Sequence, residues 1–196
     1  MHSYLKLPAA LAFALSLAAC GQQQTVPDSA QLESLGVLAR QGRQAHALEE
    51  LQSWARQGSA VAQRELALAY VDNAAHAKDA VFWFAKATQG GDKEAAYVLA
   101  SAYYNGKLGL DKDPVLAVQL YKKAAAQDDE RAELMLSRLA KYGEGMPKDL
   151  AQSVSWLQQA SAHGNAQAMF LLSNAYASGE GVPQDQVLAH SWLEKS

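Results

Sequence analysis

Two segments near the carboxyl end of the chain, Tyr142-Gly-Glu-Gly-Met-Pro-Lys-Asp149 and Ser178-Gly-Glu-Gly-Val-Pro-Gln-Asp185, are almost the same. They lie 36 residues apart, and a Ser-Trp-Leu triplet follows each of them, at Ser155 and Ser191. An internal period of this length is typical of repeat architectures, in which each unit is one small supersecondary motif. The chain is therefore predicted to be a row of repeated units.

Extending the period towards the amino end gives five units, each of which carries two helical patterns. The second pattern opens with a small residue, and large apolar residues follow three and four positions later, except for Glu50 in the first unit; this is the apolar stripe of an α-helix. The small residues are Ala47, Ala80, Ala117, Ser153 and Ala189. The first pattern repeats a small residue, Leu and usually Tyr at intervals of four, as in Ala168, Leu172 and Tyr176.

Helix boundaries are marked by residues that favour them. A residue that caps helices well precedes every first helix, and its side chain can accept from the free N–H groups of the first turn. These residues are Asp28, Ser59, Asp92, Asp129 and Asn165, and the later second helices are preceded in the same way by Asp113, Asp149 and Asp185. The last three connections inside the units carry paired glycines, which permit the positive φ of a helix end. The pairs are Gly106/Gly109, Gly143/Gly145 and Gly179/Gly181.

These patterns predict an all-α fold, an α-solenoid of about five antiparallel helix pairs. The predicted units cover residues 28–58, 59–91, 92–128, 129–164 and 165–196. No segment alternates with period two for long enough to predict a strand.

The combined motif resembles the Sel-one-like repeat, a relative of the tetratricopeptide repeat. Its pattern of Ala, Leu, Tyr, a Gly-x-Gly loop, Asp, a small residue and Trp-Leu is met almost completely from Ala168 to Leu193, and well from Ala132 to Leu157. The resemblance implies a right-handed superhelix in which each unit packs only against its neighbours. It also implies an adaptor that holds partner proteins. A cysteine-rich branch of the family is linked to β-lactam chemistry, but this chain has a single cysteine.

The amino end has the features of a bacterial lipoprotein signal. Residues 7–19 form an apolar run that is too short to span a bilayer, and Leu17-Ala-Ala-Cys20 resembles a lipobox. We therefore expect residues 1–19 to be removed, Cys20 to be acylated, and residues 20–27 to serve as a tether. Gly21, rather than Asp, after the cysteine predicts an outer-membrane lipoprotein that faces the periplasm. The alternative is an ordinary signal peptide with a coincidental cysteine.

Composition argues against several function classes. The chain of 196 residues has a net charge of −3, whereas a nucleic-acid binder is expected to carry a basic face. The histidines His46, His76, His163 and His190 lack ligand-like neighbours along the chain. No nucleophile and base, and no pair of catalytic carboxylates, can be placed in one cleft. We therefore expect no catalytic residue, no metal site and no cofactor.

Binding residues are predicted from the positions of the first helices that packing leaves free. In related solenoids the first helices line the concave groove, and these positions lie two, six and nine residues after the small residue. The predicted groove residues are Arg64, Tyr97, Tyr104, Arg138, Lys141, Phe170 and Asn174. Phe170 could equally pack between neighbouring first helices.

Three functions follow from these features. The first is a non-catalytic adaptor or scaffold of the bacterial cell envelope that binds a partner protein or peptide in its groove. The second is a periplasmic immunity protein that neutralises a secreted effector such as a lipase, and the third, least favoured, is a cell-wall-active enzyme.

Because no capping helix follows the apolar stripe of Trp192 and Leu193, a homodimer or a partner is also expected to cover that face.

Overall fold

The computed structural model describes residues 27–42 and 45–196, which contain ten α-helices, one short 3₁₀ turn and no strand. The helices are α1 Ser29–Arg40, α2 Ala45–Arg56, α3 Ala60–Tyr70, α4 Ala77–Gln89, α5 Lys93–Asn105, α6 Pro114–Ala125, α7 Glu130–Tyr142, α8 Leu150–Ala162, α9 Ala166–Ser178 and α10 Gln186–Lys195. The 3₁₀ turn, Ala74–His76, precedes α4.

The helices pack in the order in which they occur along the chain. Each unit contributes one pair, from α1 and α2 to α9 and α10, and each second helix also packs against the first helix of the next unit. This arrangement of neighbour-on-neighbour contacts is an α-solenoid. The predicted fold class is confirmed.

Small residues at the start of the second helices allow the helices of a pair to approach closely. Ala80 and Ala117 are fully buried, and Ala47, Ser153 and Ala189 are at most 5% exposed. Four positions further along, the large side chains of Leu51, Phe84, Tyr121 and Leu157 fill the space between neighbouring pairs and are buried. Burying one such side chain contributes roughly 1.5–3 kcal/mol, so the predicted stripe supplies much of the core.

The predicted caps form at every first helix. The side chains of Asp28, Ser59, Asp92, Asp129 and Asn165 each accept from a backbone N–H of the first turn. Asp113, Asp149 and Asp185 cap α6, α8 and α10 in the same way. Each cap is worth about 1 kcal/mol, so the polar residues fix where the helices begin.

The second glycine of two of the pairs lies where units stack. A Cβ at Gly145 would lie 2.2 Å from the carbonyl oxygen of Pro114, and one at Gly181 would lie 2.3 Å from that of Leu150. Pro114 and Leu150 are the first residues of α6 and α8, which belong to the preceding units. Both glycines also have positive φ. The loop of one unit therefore rests directly on the start of the second helix before it.

The described residues include no helix that is both long and apolar enough to cross a membrane. Cys20, the predicted signal peptide of residues 1–19 and most of the predicted tether lie outside the residues that the structure describes.

Candidate functional site

The side chains of the first helices α1, α3, α5, α7 and α9 form one continuous surface, here called the first-helix face. Glu33 of α1 reaches Arg64 of α3, and Arg64 in turn reaches Glu94 of α5. Glu94 then lies 3.8 Å from the guanidinium of Arg131 on α7. Charged and aromatic side chains therefore link four consecutive first helices, and the predicted groove residues belong to this surface.

Arg64 lies at the amino-terminal end of the first-helix face and is surrounded by carboxylates. Its guanidinium nitrogens lie 2.7 Å from Glu33, 3.0 Å from Asp92, 3.1 Å from Glu65 and 3.6 Å from Glu94, and its side chain is only 9% exposed. Burial alone would lower the pKa of Arg64, but the nearby carboxylates outweigh it and raise the pKa. Burial also raises the pKa of Asp92.

This arrangement corrects the expectation that Arg64 points freely into the groove. A buried guanidinium that already donates to three carboxylates has no free edge for a partner. Arg64 is a structural ion-pair centre that joins α1, α3 and the cap of α5.

Two tyrosine–arginine stacks lie between α5 and α7, further towards the carboxyl-terminal end of the first-helix face than Arg64. The guanidinium of Arg131 lies 4.5 Å from the ring centre of Tyr97, and that of Arg138 lies 5.1 Å from the ring centre of Tyr104. The two tyrosines are seven residues apart on α5, as are the two arginines on α7. The stacks therefore repeat after two helical turns along the same seam.

The two stacked arginines differ in their charged neighbours. Arg131 is paired with Asp129 at 2.8 Å. Within residues 27–42 and 45–196, no carboxylate oxygen lies within 4.0 Å of Arg138, which is exposed. The planar guanidinium of Arg138 thus lies over an aromatic ring and has no carboxylate partner among the described residues, so its N–H groups can donate to a ligand.

Hydrogen bonding fixes the ring beneath Arg138. The hydroxyl of Tyr104 donates to the carboxylate of Glu144, and this bond, together with partial burial, raises the pKa of Tyr104. Deeper in the same seam, burial raises the pKa of Tyr121 to about 12. Both phenols therefore remain neutral at physiological pH and serve as rigid stacking surfaces.

A cleft opens beside Arg138, between α7 and α9, with α8 beneath it. Its volume is about 440 Å³, within the range of sites that take a small ligand or a side chain. Leu134, Val154, Leu157 and Leu171 supply its apolar walls. Arg138, Lys141 and Asn174 supply polar groups at the same cleft, here called the α7–α9 cleft.

The remaining predicted groove residues are distributed around this cleft. Lys141 is half-buried and pairs with Glu180 at 2.8 Å across the cleft, and Asn174 is exposed. Phe170 is 47% exposed and does not line the cleft. The structure therefore brings Arg138, Lys141 and Asn174 together with Tyr104 nearby, and it places Arg64 and Phe170 apart from them.

Sequence reasoning missed one group of chemically capable residues. His163, in the loop after α8, contacts Glu133 of α7 and approaches Asp128 in the loop before α7. The expectation of no metal site rested on neighbours along the chain and did not consider this group, which only the fold brings together. Glu133 and His163 are 30 residues apart, near the two ends of the same unit, so inspection of neighbours along the chain could not find them.

The last helix leaves an apolar surface uncovered. Val187, Leu188 and Leu193 of α10 are 79%, 41% and 49% exposed. The homodimer or partner expected to cover this face remains a prediction.

Comparisons with known proteins agree with the fold. The model of the Sel1 repeat matches residues 76–92, 93–129, 131–165 and 166–196, which together make up more than half of the chain. No protein with a curated description matches the chain.

Three solved structures illustrate the similarity. A protective antigen present in uropathogenic Escherichia coli strains, displaying an SLR fold, is 34% identical over 76% of this chain with a TM-score of 0.71. The match covers 32% of that antigen, so this chain spans about a third of its length. A Sel1 repeat protein from Oxalobacter formigenes is 26% identical, with coverage of 86% of this chain and 72% of the other and a TM-score of 0.74.

The cysteine-rich protein B of Helicobacter pylori is 24% identical over 64% of this chain and 94% of its own, with a TM-score of 0.54, and shows the fold alone. The four matched repeats, the glycine loops and the stacked helix pairs lead to one conclusion. The chain belongs to the Sel1 repeat family, a fold that generally serves as a scaffold for protein interactions.

Proposed function

We propose that this protein is a non-catalytic scaffold that binds a partner protein through the carboxyl-terminal half of its first-helix face. The site comprises the α7–α9 cleft and the Tyr104–Arg138 stack beside it. The observation that carries the proposal is a guanidinium held over a ring, next to an apolar cleft, without a carboxylate of its own among the described residues.

The chemistry of the site defines the segment that it would recognise. An apolar side chain of the partner enters the cleft between Leu134, Leu157 and Leu171, and its burial contributes roughly 1.5–3 kcal/mol. An Asp or Glu next to that side chain accepts from the open edge of Arg138, as charge-assisted bonds to a planar guanidinium are strong and directional. Asn174, which has both donor and acceptor atoms, can bond to the backbone of the bound segment. The partner motif is therefore an apolar residue adjacent to an acidic one.

Cellular position forms the second part of the proposal. Acylation of Cys20 would hold the scaffold at the outer membrane, facing the periplasm, where its partners would be envelope or secreted proteins. The support is the lipobox-like Leu17-Ala-Ala-Cys20 and the absence of any other cysteine. Incorporation of labelled palmitate into the wild-type chain, and its loss in Cys20→Ser, is the expected result; unchanged labelling would contradict this part alone.

The binding site can be tested without knowing the natural partner. A library of random peptides displayed on phage is selected on the full chain, and the enriched sequences are compared. We expect enrichment of peptides with an acidic residue beside Leu, Ile, Met or Phe. In Arg138→Met their affinity should fall at least about tenfold, since a hydrogen bond to a charged group is worth roughly 1.5–3 kcal/mol.

A matched control separates this site from charge in general. Lys86 lies 5.8 Å from the ring centre of Phe82 on the second helix α4, so it is also a cation next to an aromatic ring, but away from the cleft. Lys86→Met should leave peptide affinity unchanged. Enriched peptides without acidic residues, or equal binding by wild type and Arg138→Met, would contradict the proposal.

A further inference from the structure

The side chains of Asp128, Glu133 and His163 meet at the junction of the third, fourth and fifth units. The Nδ1 atom of His163 lies 2.8 and 3.0 Å from the two carboxylate oxygens of Glu133, and its Nε2 atom lies 3.6 Å from Oδ1 of Asp128. One ligand atom from each residue can be chosen so that all three lie within 4.8 Å of one another. The group lies at the opposite ends of the helices from the glycine loops, and none of its three residues lines the α7–α9 cleft.

Comparison among the repeats shows that the fold itself does not require these three residues. Where Asp128 precedes the cap of α7, the second, third and fifth units have Gly58, Gly91 and Gly164, all with positive φ. Asp128 also has a positive φ, of 57°, which a residue with a side chain adopts only at some cost.

The other two members of the group depart from the repeat in the same way. The positions that match Glu133 hold Gln63, Ala96 and Met169, and those that match His163 hold Gln57, Gly90 and Gln127. Three residues with metal-binding side chains therefore replace residues without a charge, and all three replacements fall at one place in the structure.

The burial of Glu133 points to a ligand beyond the imidazole. Its side chain is 1% exposed, and the only donor that it meets within the described residues is the ring nitrogen of His163. A carboxylate can accept at about four positions, and a buried one is costly unless its charge is well compensated.

We propose that Asp128, Glu133 and His163 bind a divalent transition-metal cation, with Zn²⁺ as the best fit. Imidazole and carboxylate ligands suit Zn²⁺, which binds both at about 2.0–2.2 Å. Ligand atoms around a tetrahedral ion are separated by roughly 3.3 Å, and here one ligand atom from each residue lies within 4.8 Å of the others. Because Glu133 faces Nδ1 and Asp128 faces Nε2 of the same ring, the Asp128 side chain must turn to share one ion with Glu133. The side chain of Asp128 is 75% exposed, so it is free to turn towards the ion, and His163 is accessible to solvent.

The bound cation would act as a clamp between units. Asp128 is the last residue of the third unit, Glu133 belongs to α7 of the fourth, and His163 belongs to the loop that leads from the fourth unit into the fifth. Because α9 forms one wall of the α7–α9 cleft, a metal ion here would fix the loop that positions that wall. Metal binding itself does not depend on the proposed scaffold function.

The test is a calorimetric titration of ZnCl₂ into the untagged full chain in a buffer that does not chelate metals. We expect saturable binding of one Zn²⁺ per chain and a rise of the thermal unfolding midpoint with Zn²⁺. The three test variants each restore a residue that another unit already has: Asp128→Gly, Glu133→Gln and His163→Gln. Each should weaken Zn²⁺ binding at least about tenfold and remove the rise in the unfolding midpoint.

The matched control is His190→Gln, which removes another surface histidine that faces a carboxylate, Glu194, at 3.3 Å. It should leave Zn²⁺ binding unchanged. Absence of saturable binding to the wild-type chain would overturn the proposal, as would equal losses in His190→Gln and His163→Gln. Should one variant fail to fold, as judged by circular dichroism, the wild-type titration and the other two variants decide.

Discussion

The two ends of the first-helix face use arginine in opposite ways. At the amino-terminal end, Arg64 is buried and donates to three carboxylates that come from α1, α3 and the cap of α5. At the carboxyl-terminal end, Arg138 is exposed, stacks on Tyr104 and has no carboxylate partner among the described residues. One end of the face is internally neutralised, and the other end presents its charge to a ligand.

The difference shows how one repeat scaffold separates stability from recognition. A buried charge must be compensated within the protein. The carboxylates around Arg64 therefore hold neighbouring units together, and they leave no free N–H group of Arg64 for a partner. An exposed charge next to an apolar cleft costs little in the free protein and gains a strong interaction only when a partner excludes water. We therefore expect substitutions at the two ends to change different measurable properties.

Replacing Arg64 should have the largest effect on stability. Arg64→Met keeps the length of the side chain but leaves the buried carboxylates of Glu65 and Asp92 without their shared guanidinium. We expect the free energy of unfolding to fall by about 3 kcal/mol, the lower end of the range for breaking a buried ion pair, because Arg40 still pairs with Glu65 at 2.7 Å. Urea unfolding followed by circular dichroism measures this change.

The pH dependence of that loss gives an independent check. Burial already raises the pKa of Asp92 in the wild-type protein, and loss of Arg64 should raise it further. An acid whose pKa is higher in the folded than in the unfolded state takes up protons on folding, so its penalty is relieved as the pH falls. The difference between wild type and Arg64→Met should therefore shrink below neutral pH. A difference that stays constant or grows would contradict the role assigned to Arg64.

A substitution of Gly36, on the neighbouring helix α1, tests the same buried ion pairs with a smaller expected loss of stability. Gly36 in α1 is buried, and a Cβ there would lie 2.0 Å from Oε2 and 2.9 Å from Cβ of Glu65. Gly36→Ala gains about 1 kcal/mol of helix propensity but displaces Glu65 from Arg40 and Arg64, with overpacking that costs roughly 1–3 kcal/mol. We expect a net loss of about 1 kcal/mol in the free energy of unfolding.

A double-mutant cycle identifies the cause of this loss. In a Glu65→Ala background the obstructing side chain is absent, so Gly36→Ala should become stabilising. If Gly36→Ala costs the same in both backgrounds, the close approach of Glu65 is not the reason for glycine at this position.

The features that could be predicted from sequence are the ones that depend on local or periodic rules. The caps such as Asp129, the glycines with positive φ such as Gly143, and the small buried residues such as Ala117 each follow from a rule that concerns a few neighbouring residues. The fold follows from them because the same rules recur in every unit. This part of the prediction is confirmed.

The features that sequence reasoning missed depend on pairs of residues that are 28 to 31 positions apart along the chain. Arg64 is 31 residues from Glu33 and 28 from Asp92, and Glu133 is 30 from His163. The position of Arg64 in the motif predicts a free side chain, since the motif does not include the charges that neighbouring units bring to it. Searching a repeat sequence for opposite charges separated by 28 to 31 positions would identify such buried centres.

Replacing Arg138 should have the smallest effect on stability, and this completes the contrast between the two ends. Arg138→Met removes an exposed guanidinium whose stacking on Tyr104 is worth about 0.5–1 kcal/mol at such a site, and the methionine side chain retains part of the contact with the ring. We expect the free energy of unfolding to change by no more than about 0.5 kcal/mol, measured by the same urea unfolding as Arg64→Met. A loss as large as that of Arg64→Met would mean that Arg138 is also a structural centre, and a fall in peptide affinity in that variant could then reflect a damaged fold. A stable Arg138→Met protein with weakened peptide binding would instead place recognition at the carboxyl-terminal end of the face, where the charge of Arg138 has no carboxylate partner among the described residues.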